Sequence, residues 1–89
     1  MRAVISVLGC DRVGIIAAVT AILAETNTNI LDISQTTLAG IFSMIMIVDL
    51  SATSLPLPEL QDRLREKGKA LGVEVKLQRE EIFQSMHRI

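Results

Sequence analysis

The sequence predicts an α+β fold in which two helices cover one face of a four-stranded antiparallel sheet. Three observations support this prediction. The hydrophobic period switches repeatedly between two residues and three to four residues, a tight-turn signal joins two apolar segments, and proline and glycine bound a second helical segment. At 89 residues the chain has the length of a single domain with a modest core.

The first two elements are a strand and a helix. Residues 2–8 alternate with apolar side chains on both faces, which is typical of a strand largely buried on both sides. Over residues 13–26 the apolar positions recur at three and four residues, so an amphipathic helix is expected, with Asp11 or Arg12 close to its N-cap.

A hairpin should follow this helix. Residues 30–38 are rich in β-branched side chains and alternate, and a second apolar segment occupies residues 41–50. Ala39-Gly40 between them is a tight-turn signal. The two segments are therefore expected to pair as antiparallel strands.

The remaining elements are a second helix and a last strand. Pro56 and Pro58 open the helix, and Gly72 stands where a glycine commonly ends one. Its predicted apolar face consists of Leu57, Leu60, Leu64 and Leu71. Residues 73–78 alternate as a strand, which completes the order βαββαβ, the ferredoxin-like sandwich.

Composition argues against several function classes. Nine Lys and Arg residues against ten Asp and Glu residues give a formal net charge of −1, which offers no attraction to phosphate backbones or anionic lipid. The only aromatic residues are Phe42 and Phe83, too few for a base-stacking platform. We expect no direct nucleic-acid partner and no membrane partner.

The cysteine content and the N-terminus bear on localisation. The single cysteine, Cys10, cannot form an internal disulfide, and the chain starts in strand-like sequence without a signal peptide. We therefore expect a cytoplasmic protein. Cys10 and the single histidine, His87, form no catalytic or zinc-binding constellation, so neither an enzyme nor a metal site or cofactor is predicted.

The turn between the first strand and the first helix is the main candidate binding site. A helix that starts at Gly14 would present free backbone N–H groups to a carboxylate. Asp11 and Asp32 are acceptors for an ammonium group or a hard cation, and Asn29 can donate and accept. The alternative is structural: Asp11 caps the helix, Gly14 allows close packing, and Asn29 and Asp32 serve as turn residues.

These motifs carry a family resemblance. Gly9-x-Asp11-Arg12-x-Gly14-Ile15, Asn29-Ile30-x-Asp32 and the βαββαβ order together resemble an ACT domain, a regulatory module that senses amino acids, over residues 1–79. The chain is similar to short stand-alone bacterial ACT proteins related to the glycine cleavage repressor. The resemblance implies that an amino acid contacts the turn residues Asp11, Arg12, Val13, Gly14 and Ile15 together with Asn29. The predicted ligand site also includes Ile30 and Asp32 beside Asn29.

The topology predicts a homodimer. The first two strands run parallel in this fold, so Gly14 and Asn29 should lie at opposite ends of the sheet, separated by a helix of roughly 20 Å. A two-fold axis through the edge of the second strand would bring Asn29 of one subunit beside Gly14 of the other in an eight-stranded sheet. A dimer that recognises a protein partner without any ligand is the alternative.

Residues 80–89 extend beyond the ferredoxin-like plan. An apolar stripe at helical spacing follows an acidic pair, which predicts a short C-terminal helix. The residues of the stripe are Ile82, Phe83, Met86 and Ile89. This helix could pack on its own sheet or contact a partner.

Overall fold

The computed structural model describes residues 1–10 and 13–81. The elements are β1 (Arg2–Cys10), α1 (Ile15–Glu25), β2 (Asn29–Leu38), β3 (Ile41–Asp49), α2 (Leu57–Leu71) and β4 (Val73–Arg79). The predicted order βαββαβ is confirmed. The predicted C-terminal helix falls on residues 80–89, of which 82–89 lie outside the described residues.

The four strands form one antiparallel sheet in the order β2-β3-β1-β4. β3 pairs with both β1 and β2, so β1 and β2 run parallel without touching, as predicted. β2 and β4 are the two outermost strands of the described sheet, and each has one side without a strand neighbour.

The core lies between the two helices and one face of the sheet, which we call the inner face. Alternate residues of β1, β3 and β4 point into it, and both helices contribute the apolar side chains that their spacing predicts. The helical core residues are Ile15, Val19, Ile22, Leu23, Leu60 and Leu64. Leu57 and Leu71 are half-buried at the margin of this core.

The outer face of β1 departs from the prediction. Val4 is buried with 3% of its surface exposed, but Leu8 on the same face is 51% exposed. The expectation of a strand buried on both sides is therefore wrong for its second half. The reason is that both helices pack on the inner face. An apolar side chain on the outer face, such as Leu8, is therefore not buried by a helix.

Backbone conformation sets the ends of both helices. α1 is 11 residues long, shorter than predicted, because Gly14 before it has a left-handed φ of 93° and Asn27 after it has φ 57°. Thr26 closes α1 with its backbone N–H and its hydroxyl, both donated to the Ile22 carbonyl oxygen. Gly72 ends α2 with φ 76°, as its place in the sequence predicts.

Candidate functional site

The turn before α1 exposes its backbone. Gly14 is the N-cap residue of α1, and no side chain among residues 1–10 and 13–81 caps the helix. A β-carbon built at Gly14 would meet no atom within 4 Å, and Val13 beside it is fully exposed. The positive end of α1 is therefore open to an incoming anion, which is the chemistry predicted for this turn.

The side chain of Ile15 points away from this opening. It is 2% exposed and belongs to the hydrophobic core. The part of Ile15 that can contact a ligand is therefore its backbone N–H group. The sequence motif did not show whether the contact would be made by the backbone or by the side chain. Asp11 and Arg12, the other predicted residues of the turn, lie outside the described residues.

The second predicted cluster starts β2. Asn29 is exposed and pairs with Asp49, whereas Ile30 is half-buried and packs against the core. A β-bulge at Leu31 shifts the register, so Asp32 pairs with Ile47. Because Asp49 and Ile47 are two residues apart, Asn29 and Asp32 share the outer face although they are three residues apart.

Asp32 already has a local hydrogen-bond partner. Its Oδ1 accepts a hydrogen bond of 2.8 Å from the backbone N–H of Ile33. This bond occupies one carboxylate oxygen and fixes the side chain beside the bulge. The other oxygen remains the acceptor that Asp32 can offer to an ammonium group.

Within one subunit the two clusters are far apart. At one end of the sheet Arg2 pairs with Asp49, which pairs with Asn29; at the other, Cys10 pairs with Ile41. The eight residue steps along β1 between Arg2 and Cys10 correspond to about 27 Å at the usual rise of a strand. The predicted separation of the Gly14 and Asn29 ends is thus present in the chain, and one amino acid cannot span it.

The strand that carries Asn29 is open along its whole length. Every residue of β2 is exposed except Ile30, which is half-buried. Its inner-face residues at positions 33, 35 and 37 are exposed, although their β3 partners are buried in the core. Ile33 is 43% exposed, and Ile16 on α1 is 37% exposed. Among the described strands, β2 therefore presents both an unpaired edge and exposed apolar side chains.

Asp49, which the sequence interpretation did not select, lies beside Asn29. The Ser51 hydroxyl and the Ser51 backbone N–H donate hydrogen bonds of 2.6 Å and 3.0 Å to its Oδ1. These bonds lower the pKa of the Asp49 carboxyl below its ordinary value. An Asp two residues before a Ser at the end of a strand was the signal that could have revealed this turn.

Residues 1–10 and 13–81 hold neither a metal-binding cluster nor a membrane-spanning helix. These residues contain no group of three or more His, Cys, Asp or Glu side chains placed to hold a metal ion. No helix within this part of the chain is long and apolar enough to cross a membrane.

Comparison with known proteins agrees with the fold and the motifs. Residues 2–78 match the ACT domain. A UPF0237 protein of Clostridium acetobutylicum is 53% identical over 89 residues, which cover 100% of both chains.

Solved structures show the same fold. An ACT domain protein from Streptococcus pneumoniae is 37% identical with a TM-score of 0.81, and 94% of each chain is covered. A candidate glycine cleavage system transcriptional repressor is 21% identical with a TM-score of 0.75, covering 86% of this chain and 44% of that chain, a likeness in fold alone. From its sequence match, its strand order and its turn motifs, this chain belongs to the ACT domain family.

Proposed function

We propose that this protein is a regulatory module that binds an amino acid at a homodimer interface and signals to a partner protein. The observation that carries the proposal is the position of its two motifs: the open Gly14 turn and the exposed Asn29 lie at opposite ends of a sheet whose β2 edge is unpaired. The family supplies the class of ligand. We also propose that the protein is regulatory and is not an enzyme. Its proposed location is the cytoplasm.

The dimer follows from the edge strand. If β2 pairs antiparallel with β2 of a second subunit, Asn29 of one chain comes level with Leu38 of the other. Leu38 pairs with Ile41, which pairs with Cys10, so this level is the end of the sheet from which the Gly14 turn departs. The two-fold axis would thus create two equivalent sites, each built from both subunits.

The chemistry at each site suits a zwitterion. The N-terminus of α1, which no described side chain caps, supplies N–H groups for the α-carboxylate, and Asn29 of the partner subunit supplies an amide that both donates and accepts. Asp11 and Asp32 are the proposed acceptors for the α-ammonium, and Arg12 and Val13 border the turn. Ile15 and Ile30 hold the two clusters in place from the core.

Calorimetric titration of the protein with each of the twenty amino acids tests this function. We expect at least one of them to bind, with one ligand per subunit. Asn29→Ala should abolish the heat without lowering the unfolding temperature, because Asn29 is exposed and its side chain supports no part of the core. Gln61→Ala, which removes an amide from α2, is the matched control and should bind as the unchanged protein does.

Two results would contradict the proposal in different ways. Binding that survives Asn29→Ala would place the amino acid elsewhere on the chain. No heat with any of the twenty amino acids, together with a stable dimer, would favour the ligand-independent interaction module instead.

A further inference from the structure

A second surface, on the side of the sheet opposite β2, has the features of a peptide-binding groove. A groove of about 680 Å³ runs between α2 and β4. Its lining includes seven consecutive residues, 72–78, whose side chains alternate between the two sheet faces. A groove can touch all of them only if it follows the edge of β4, where the backbone N–H and C=O groups are.

The other wall of this groove is a stripe of α2. Gln61, Arg65 and Lys69 are spaced by four residues and therefore lie one above the other on the helix surface. Gly68 brings this helix close to β4, because a β-carbon there would lie 2.7 Å from Cγ2 of Val75. Helix and strand edge thus form a narrow channel with room for an extended chain.

The charges of the groove are mostly positive. Arg65, Lys69 and Lys76 line it, against the single acidic residue Glu74. Glu74 forms an ion pair with Lys76 at 3.3 Å, and Arg65 pairs with Asp62 at 3.5 Å. Lys69 forms no ion pair with any residue that the structure describes, so its ammonium group is available to an acidic partner.

We propose that this groove binds an extended acidic peptide segment of a partner protein, which adds to β4 as a fifth strand. Backbone hydrogen bonds to the β4 edge would provide the attachment, and acidic side chains pointing toward α2 would meet Arg65 and Lys69. β1 and β3 separate this edge from β2, so the site needs neither the amino acid nor the dimer seam.

The probe is a fluorescein-labelled peptide of alternating Glu and Thr residues, titrated with the full chain and followed by fluorescence anisotropy. We expect saturable binding, and amide chemical-shift changes concentrated in residues 73–78. Two further peptides have the same sequence with backbone N-methyl groups on alternate residues. One peptide is N-methylated at every Glu, and the other is N-methylated at every Thr. Only alternate residues of an added strand pair with the edge, so one of these peptides should lose binding and the other keep it.

A matched pair of helix variants tests the charge. Lys69→Glu should weaken the peptide by about fivefold, since it replaces attraction by repulsion at an exposed pair. Lys67→Glu changes the net charge equally on the same helix but lies in the groove between α1 and α2, so it should leave the affinity unchanged. Circular dichroism verifies that both variants fold.

Four results obtained with the peptides would overturn the proposal. They are the absence of binding at millimolar peptide, equal binding of the two N-methylated peptides, equal losses in the two lysine variants, and peptide-induced shifts that avoid β4. Concentration-dependent broadening of the β4 amides without peptide would also overturn it, because a second copy of the chain would then occupy the edge.

Discussion

Gly68 of α2 packs directly on the backbone of Val73: a β-carbon at position 68 would lie 2.8 Å from the Val73 carbonyl oxygen. The same β-carbon would lie 2.7 Å from Cγ2 of Val75. A side-chain methyl group can rotate away, whereas a carbonyl oxygen within a paired strand cannot. The contact therefore fixes the distance between α2 and β4.

Gly68→Ala should destabilise the protein although alanine is the better helix former. The gain in helix propensity is about 1 kcal/mol, and overpacking against backbone costs about 1–3 kcal/mol. We expect a net loss of about 1 kcal/mol in urea unfolding. Lys67→Ala, an exposed neighbour on the same helix, should change stability by less than about 0.5 kcal/mol. A higher urea midpoint for Gly68→Ala would show that α2 can move outward.

Ile33→Glu should prevent formation of the proposed dimer. Ile33 lies near the middle of β2, so an antiparallel pair of β2 strands would place the two new carboxylates close together. Light scattering should give about twice 9.7 kDa for the unchanged protein and a single chain for the variant. Leu8→Glu adds the same charge at an exposed position of β1, two strands from that edge, and this variant should remain dimeric. A single-chain mass for the unchanged protein would remove the shared-site proposal.

The hydroxyl groups of Thr26 and Thr28 should be energetically coupled. Their Oγ1 atoms lie 3.0 Å apart in a buried turn. The Thr28 hydroxyl is also hydrogen-bonded to the Thr53 hydroxyl, at 3.0 Å. Each single change to valine should cost about 1 kcal/mol because it breaks hydrogen bonds of the turn. The double change should cost about 0.5 kcal/mol less than the sum. Strict additivity in the double-mutant cycle would mean that the two hydroxyls act independently.

Acidification should remove the stabilisation that Asp49 provides. Hydrogen bonds from Ser51 lower the pKa of Asp49 in the folded chain, so the charged form is favoured by folding. Its contribution is present above the unfolded pKa of about 3.9 and is lost as the pH falls through the lower folded value. Ser51→Ala should raise the pKa of Asp49, measured by NMR titration.

Thermal unfolding provides the matching stability measurement. The unchanged protein should unfold at a higher temperature than Ser51→Ala at pH 6, because the charged Asp49 accepts the Ser51 hydroxyl hydrogen bond there. The gap should narrow as the pH falls through the lowered pKa of Asp49 in the folded chain, because the carboxyl is protonated in both proteins below it. A gap of constant size across this range would assign the effect of Ser51 to something other than the charge of Asp49.

The fold could be predicted because its signals are local. The alternation over residues 73–78 and the four-residue spacing of Leu60 and Leu64 depend only on the geometry of a strand and a helix. The apolar residues of both patterns face the core as expected. The end of α2 at Gly72 could also be predicted, because a left-handed residue after a helix is usually glycine.

The details of the candidate site depended on tertiary context. The bulge at Leu31 exists only relative to the register of β3, so no pattern within β2 could reveal that Asn29 and Asp32 share a face. The burial of Ile15 is set by how α1 docks on the sheet. The exposure of Leu8 could not be predicted for the same reason, since an apolar alternation does not show which face is covered.

The two open edges of the sheet differ in a way that governs how large an assembly can become. Pairing β2 of one copy with β4 of the next would repeat in one direction and build an endless ribbon. The β2 segment 33–38 carries no charge, whereas β4 carries Glu74 and Lys76 on successive outer-face positions. Glu74 and Lys76 pair with each other, and the uncharged β2 segment would offer them no cross-strand charge partners, unlike an acidic peptide. We therefore expect the unequal edges to limit growth of the proposed assembly to a closed pair.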